Sequence, residues 1–189
     1  MAGERGPAVV LSLGYVGATG SFIAKDGSGA LPAGYVSIGR GVQWLVGDLE
    51  TAGELVGNLR FFAAISGRTP LTHIDYKGFL FHWGRELRSQ AHLQWATWGE
   101  RLRLGLGVQH LARGQGLERV FAESDLVPFE NGGGQFLTLQ PAAWLALPMG
   151  VAVSVAARLQ LWRRVNGIQP VPATGFVMSV AWRPEAAAN

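Results

Sequence analysis

The side chains with the most chemical potential are His82 and His92, with Ser66 as the hydroxyl in the same region of the chain. A serine, a histidine base and a third group that orients the imidazole can cleave an ester when nucleophile and base lie within hydrogen-bond reach. His73 and Asp75 offer a second base and orienter. His82, His92 and Ser66 are therefore the catalytic candidates, and they would suit a lipid hydrolase at a membrane interface. No local motif fixes their mutual distance, so structural roles for the histidines are the preferred expectation. Two histidines do not complete a metal-ligand set, and the chain has no cysteine to add. Glu123, Asp125 and Glu130, followed by Asn131 and glycines, supply oxygens for Ca²⁺ but lack EF-hand spacing, so a solvated loop is expected. No metal and no cofactor is expected.

Arginine carries the second kind of chemistry. Arg60, Arg88, Arg101, Arg103 and Arg158 share alternation parity with His82, His92, Gln94 and Gln160. A lumen lined this way would favour anions. The preferred expectation is structural: arginine and glutamine cross-link a narrow interior through water and backbone carbonyls. The Arg40 side chain interrupts an otherwise apolar run and is a candidate partner contact.

These side chains share a face only if strands carry them. Leu137, Leu139, Ala143, Leu145 and Leu147 alternate with Phe136, Thr138, Gln140, Ala142 and Ala146. Val151, Val153, Val155 and Leu159 alternate with Ala152, Ser154, Ala156 and Arg158, and Phe176, Met178, Val180 and Trp182 alternate with Val177, Ser179 and Ala181. A period of two sends alternate side chains to opposite faces of a strand. Similar runs are read at 9–16, 35–48, 55–66, 76–83, 87–95, 101–109 and 117–123, with turns near Ala52, Arg85, Gly114 and Pro148. Pro141 lacks a donor and predicts a bulge.

One face of each run is oily; the other is glycine, alanine, serine, glutamine and arginine, with few lysines and glutamates. Water-facing sheet surfaces are written differently, whereas small residues plus a few long polar ones fill a narrow lumen. The expectation is an all-β fold: a closed up-and-down antiparallel transmembrane β-barrel of about ten strands, eight as the alternative, with its apolar face toward lipid. One domain spans 1–189, with loops 21–34, 125–134 and 165–174 extracellular and 183–189 as a tail. Trp44, Trp83, Trp95, Trp162 and Trp182 are expected at the membrane interfaces, joined by Tyr35 and Tyr76.

Composition narrows the class. Charged residues are 15% and hydrophobic residues 48% of the chain, against roughly 25% charged in soluble domains. A net charge of +3 without a basic run gives nucleic-acid binding little support. No run approaches the roughly eighteen apolar residues of a membrane-spanning helix. In 1–20, Glu4 offsets Arg5 and glycines interrupt the apolar run, so a signal peptide is expected to have been removed.

Gly175, Met178, Val180 and Trp182 resemble the C-terminal assembly signal of bacterial outer-membrane proteins, although 183–189 follow where such chains end. The whole pattern resembles the outer-membrane β-barrel superfamily. That resemblance implies the outer membrane of a Gram-negative bacterium, contact with membrane lipid or lipopolysaccharide, and a possible envelope protein partner. A structural, anchoring or partner-binding role is the expectation, within a larger envelope complex. The alternatives are a narrow anion-preferring pore, an outer-membrane lipid hydrolase, and a soluble β-barrel that binds an apolar ligand.

Overall fold

The computed structural model describes residues 6–18, 42–76, 79–99, 101–119, 124–130, 132–167 and 174–182. Arg40, Tyr35, Glu123, Asn131, the loop 21–34, residues 168–173 and the tail 183–189 lie outside the described residues.

Among the described residues, twelve strands form two antiparallel sheets. The large sheet is a meander of β1 (Ala8–Val16), β2 (Trp44–Val56), β3 (Leu59–Pro70), β6 (Glu86–Thr97), β7 (Leu102–Arg113), β10 (Gly134–Ala146), β11 (Val151–Val165) and β12 (Gly175–Trp182). The small sheet joins β4 (Ile74–Tyr76), β5 (Phe79–His82), β8 (Leu117–Arg119) and β9 (Val127–Pro128). It is built from the β3–β6 and β7–β10 connections, so it caps one end of the large sheet. Tight turns close the other end, at Gly57-Asn58, Trp98-Gly99 and the 3-10 turn Pro148–Gly150. In these turns Gly57, Gly99 and Gly150 take positive φ values of 55°, 59° and 71°, a region that side chains with a Cβ avoid.

The closed barrel is not what forms. Among the described residues, β1 pairs only with β2 and β12 only with β11. Two antiparallel sheets, neither of them closed, fit a sandwich-like all-β arrangement better than a closed barrel. The physical reason is that a period of two reports which face a side chain occupies. It carries no information on whether the first and last strands find a common register. Segments 76–83 and 117–123 have strand composition but belong to the cap. The turn expected near Ala52 is also absent: Thr51 to Gly53 lie inside β2, and the chain reverses at Gly57-Asn58. Residues 84–85 and 114 connect the two sheets at the cap end, where Gly114 N donates to Arg85 O at 2.7 Å.

Cross-strand partners share a face. One row runs Leu59–Trp95–Leu104–Ala143–Val155–Met178, and the next contains Phe61–Leu93–Leu106. Of these, Leu93, Trp95, Leu104, Leu106 and Val155 in the middle strands are exposed, while Leu59 and Phe61 of β3 are half-buried. The opposite face carries Glu50–Ala64–Gln90–Gln109–Thr138–Gln160. Its centre is buried, Gln109 being 8% and Thr138 2% exposed, while Glu50, Arg88 and Arg158 on the same face are exposed. Arg158 of β11 reaches over β10 to Gln109 of β7, so the sheet is concave on its polar side.

Pro141 keeps its register with Leu106 of β7. The β11 register omits Gln140 and Pro141 and resumes unshifted at Ala142, so the missing donor interrupts the ladder without a bulge. The register shift lies instead at Leu137/Thr138, opposite Trp162 and Gln160. It puts Trp162 on the apolar face beside Leu137 and Gln160 on the polar face beside Thr138.

The apolar core sits under the cap. Val42, Trp44, Ile74 and Phe81 are buried there, with Val46, Phe79, Trp83 and Phe129 packed against them.

Candidate functional site

The concave face gathers its polar groups in three places. At the cap end, Glu86 sits between two arginines. Arg68 Nε donates to Glu86 Oε2 at 2.7 Å, Arg68 Nη2 also contacts that oxygen, and Arg113 Nε lies 3.5 Å from Glu86 Oε1. The Glu86 side chain is only 9% exposed. Aromatic rings back the cations: Arg68 lies 5.0 Å from the Trp44 ring centroid and Arg113 5.9 Å from that of Phe136.

In the middle, Gln109 Nε2 donates to Gln90 Oε1 at 3.4 Å, and Gln109 Oε1 accepts from Arg158 Nη2 at 3.1 Å. A polar cavity of about 170 Å³ beside them is lined by Asp48, Glu50, Ser66 and Arg88. The Gln160 side chain donates to Trp162 O at 2.9 Å, and its Oε1 is buried without a hydrogen-bond partner.

Toward the turn end lies a cavity of about 650 Å³, lined by strands from β3 to β12. Its floor depends on two β7 glycines. A Cβ on Gly107 would stand 2.2 Å from the His92 ring, and a Cβ on Gly105 2.7 Å from the Trp144 ring. The rings therefore occupy positions from which any side chain at these glycines would exclude them. Arg60, Gln94 and Arg158 also line this space; Arg60 is paired with Glu54 at 3.1 Å.

Of the expected polar set, Arg60, Arg88, Arg103, Arg158, His92, Gln94 and Gln160 lie on this one face by register. Arg101 is exposed in the Trp98–Leu102 turn. His82 is a correction: it belongs to β5 in the cap and stacks on His73 at 4.7 Å. The catalytic candidates are not brought together. Phe62 is the partner of His92, and Ser66 is the partner of Arg88, about 13 Å further along the strands at roughly 3.3 Å per residue. His92 meets the Phe62 ring at 6.1 Å, not a hydroxyl. Among the described residues no group of three His, Cys, Asp or Glu could hold a metal ion.

The aromatic assignments divide. Trp95, Trp162 and Trp182 are exposed, with Trp182 Nε1 donating to Met149 O at 3.2 Å. Trp44 is buried under Arg68 and Trp83 packs edge-on against Phe81, 5.0 Å between centroids. Both serve the cap core: Trp44, the first residue of β2, is part of it, and Trp83, just after β5, packs against it.

Sequence reasoning missed Asp48, Glu50 and Glu86 by placing turns beside them. The signal was present: Trp44, Val46, Asp48, Glu50, Ala52 and Glu54 keep one parity straight through Gly53. In the cap, burial and the neighbouring His73 pull the His82 pKa below its ordinary value. Burial, with Glu130 nearby, raises that of Glu118. No helix among the described residues is long and apolar enough to cross a membrane, which says nothing about strands. Among known proteins, no family model and no curated protein matches this chain.

Proposed function

We propose that this chain is a structural, partner-binding protein of a Gram-negative outer membrane. Its large sheet lays its leucine, valine and aromatic face against acyl chains or lipopolysaccharide. Its free edges are completed by strands of another polypeptide, within a larger envelope assembly.

One observation carries this. The large sheet is inverted relative to a water-facing sheet: it exposes Leu93, Leu104, Leu106, Val155, Leu159 and Met178 while burying Gln109 and Thr138. Contiguous exposed apolar surface beyond a few hundred Å² marks contact with protein or membrane. Backbone groups in hydrocarbon must be hydrogen-bonded, so an open edge there needs a partner strand. The eight-strand meander is even, so β1 and β12 run antiparallel, and another antiparallel sheet can join either edge with its oily face on the same side.

Flotation with phospholipid vesicles tests this. The wild-type chain is expected to float, and Gln94→Ala, on the polar face, to float equally. Leu106→Arg is expected to reduce the floated fraction, since a cation on a lipid face costs about 2–4 kcal/mol at mid-depth. A chain that remains in the aqueous fraction, or an L106R variant that floats like wild type, defeats the proposal.

A further inference from the structure

The 650 Å³ cavity is within the range of about 300–1,000 Å³ typical of ligand sites. Its surface is mostly apolar and small: Ala142, Ala156, Gly175 and Val177 leave room above the Trp144 ring that lies on Gly105. Two arginines line it: Arg60 is held by Glu54, whereas the Arg158 guanidinium meets an amide, Gln109, and no carboxylate pairs with it among the described residues. The acids of this face are engaged by other arginines or line another cavity. Glu54 is held by Arg60, Glu86 by Arg68 and Arg113, and Asp48 and Glu50 line the separate polar cavity. An arginine without a counter-charge at one side of an apolar trough calls for an anion attached to an apolar chain.

We infer that the concave face binds one single-chain anionic amphiphile. The chain lies over Trp144 between Ala142 and Ala156, and the carboxylate or phosphate head accepts hydrogen bonds from Arg158. This site lies on the face opposite to the lipid-contacting one and stands whether or not the membrane proposal holds.

Native mass spectrometry of the full chain in a non-ionic detergent tests it, with dodecanoate, dodecyl phosphate, dodecanol and inorganic phosphate as probes. Both anionic amphiphiles are expected to give a saturable one-to-one adduct. Dodecanol is expected to bind more weakly, and inorganic phosphate not at all. Arg158→Gln is expected to weaken both anions about tenfold or more and to leave dodecanol unchanged, because hydrogen bonds to charged groups are worth about 1.5–3 kcal/mol. Ala156→Phe fills the trough and is expected to abolish all binding, while Leu106→Ser on the outer face changes nothing. If A156F does not fold, the split between dodecanoate and dodecanol in R158Q decides alone. Adducts that survive both inner substitutions, adducts lost on L106S, phosphate bound as tightly as dodecyl phosphate, or no adduct at all would each overturn the inference.

Discussion

Glu86 holds two arginines with one carboxylate that is nearly out of water. Removing one partner from such a group leaves charge uncompensated, which typically costs 3–5 kcal/mol when fully buried; with the arginine side chains about a third exposed, Glu86→Gln should cost about 2–3 kcal/mol. Denaturant unfolding would measure it, and an unchanged midpoint would mean the pairs are solvated. Gly107→Ala should cost about 1–3 kcal/mol by driving the His92 ring away, and the same change should be nearly neutral in a His92→Ala background. In the cap, the lowered His82 pKa means its contribution is present above the ordinary value of 6.5 and is lost as pH falls through the lowered folded value. Glu118 has the opposite sign: with its pKa raised, its contribution is present below the ordinary 4.5 and is lost as pH rises through the raised value. The protection of β5 amides, taken relative to their intrinsic exchange rates at each pH, should therefore fall on acidification below about pH 6.5, and His82→Asn should remove that limb while Glu118→Gln leaves it. Side-chain facing was legible residue by residue for His92, Gln94, Arg88 and Arg158, because alternation encodes it. The role of Glu86 was not, because an acid beside Gly84-Arg85 reads locally as turn chemistry, and its arginines come from distant strands.

At the scale of elements, the meander was legible in most of its strands and in part of its asymmetry. Of the four short turns expected on one side, Pro148 lies at the turn end, Arg85 and Gly114 lie at the cap end with the 125–134 connection, and Ala52 is inside β2, so the expected asymmetry holds only in part. What misled was local punctuation. Gly53 looks like a turn residue, yet it sits mid-strand, where an added Cβ would meet Phe61 at 3.0 Å and Pro7 at 3.2 Å. The real reversal at the Pro148–Gly150 turn needs left-handed backbone at Met149 (φ 64°) and Gly150 (φ 71°). Gly150→Ala should cost about 1–2 kcal/mol, read as a lower thermal midpoint; no change would place that turn outside the cooperative unit. The cap was not legible as a separate sheet, since β8 and β9 are only three and two residues long and their pairing is non-local.

At the scale of the whole molecule, openness is the feature alternation could not reveal. β1 and β12 are exposed along their entire lengths, and their outer faces carry Leu11, Leu13, Phe176 and Trp182. If another chain completes these edges, and a second copy can serve as that chain, a Leu11→Cys, Met178→Cys double variant should cross-link between chains in membranes, giving species above 20.2 kDa. Cross-links confined within one chain would contradict edge completion by a partner. The absence of native cysteine makes every introduced thiol unique. That same property permits the most direct measurement of lipid contact. Single cysteines at Leu93, Leu106 and Val155 on the convex face, and at Gln90, Gln109 and Ala156 on the concave face, would carry a fluorophore in reconstituted vesicles. Quenchers attached to acyl chains should dim the convex set and spare the concave set. Equal quenching of both, or quenching by aqueous iodide at Leu106 and Val155 alone, would contradict a sheet that turns its oily side to lipid.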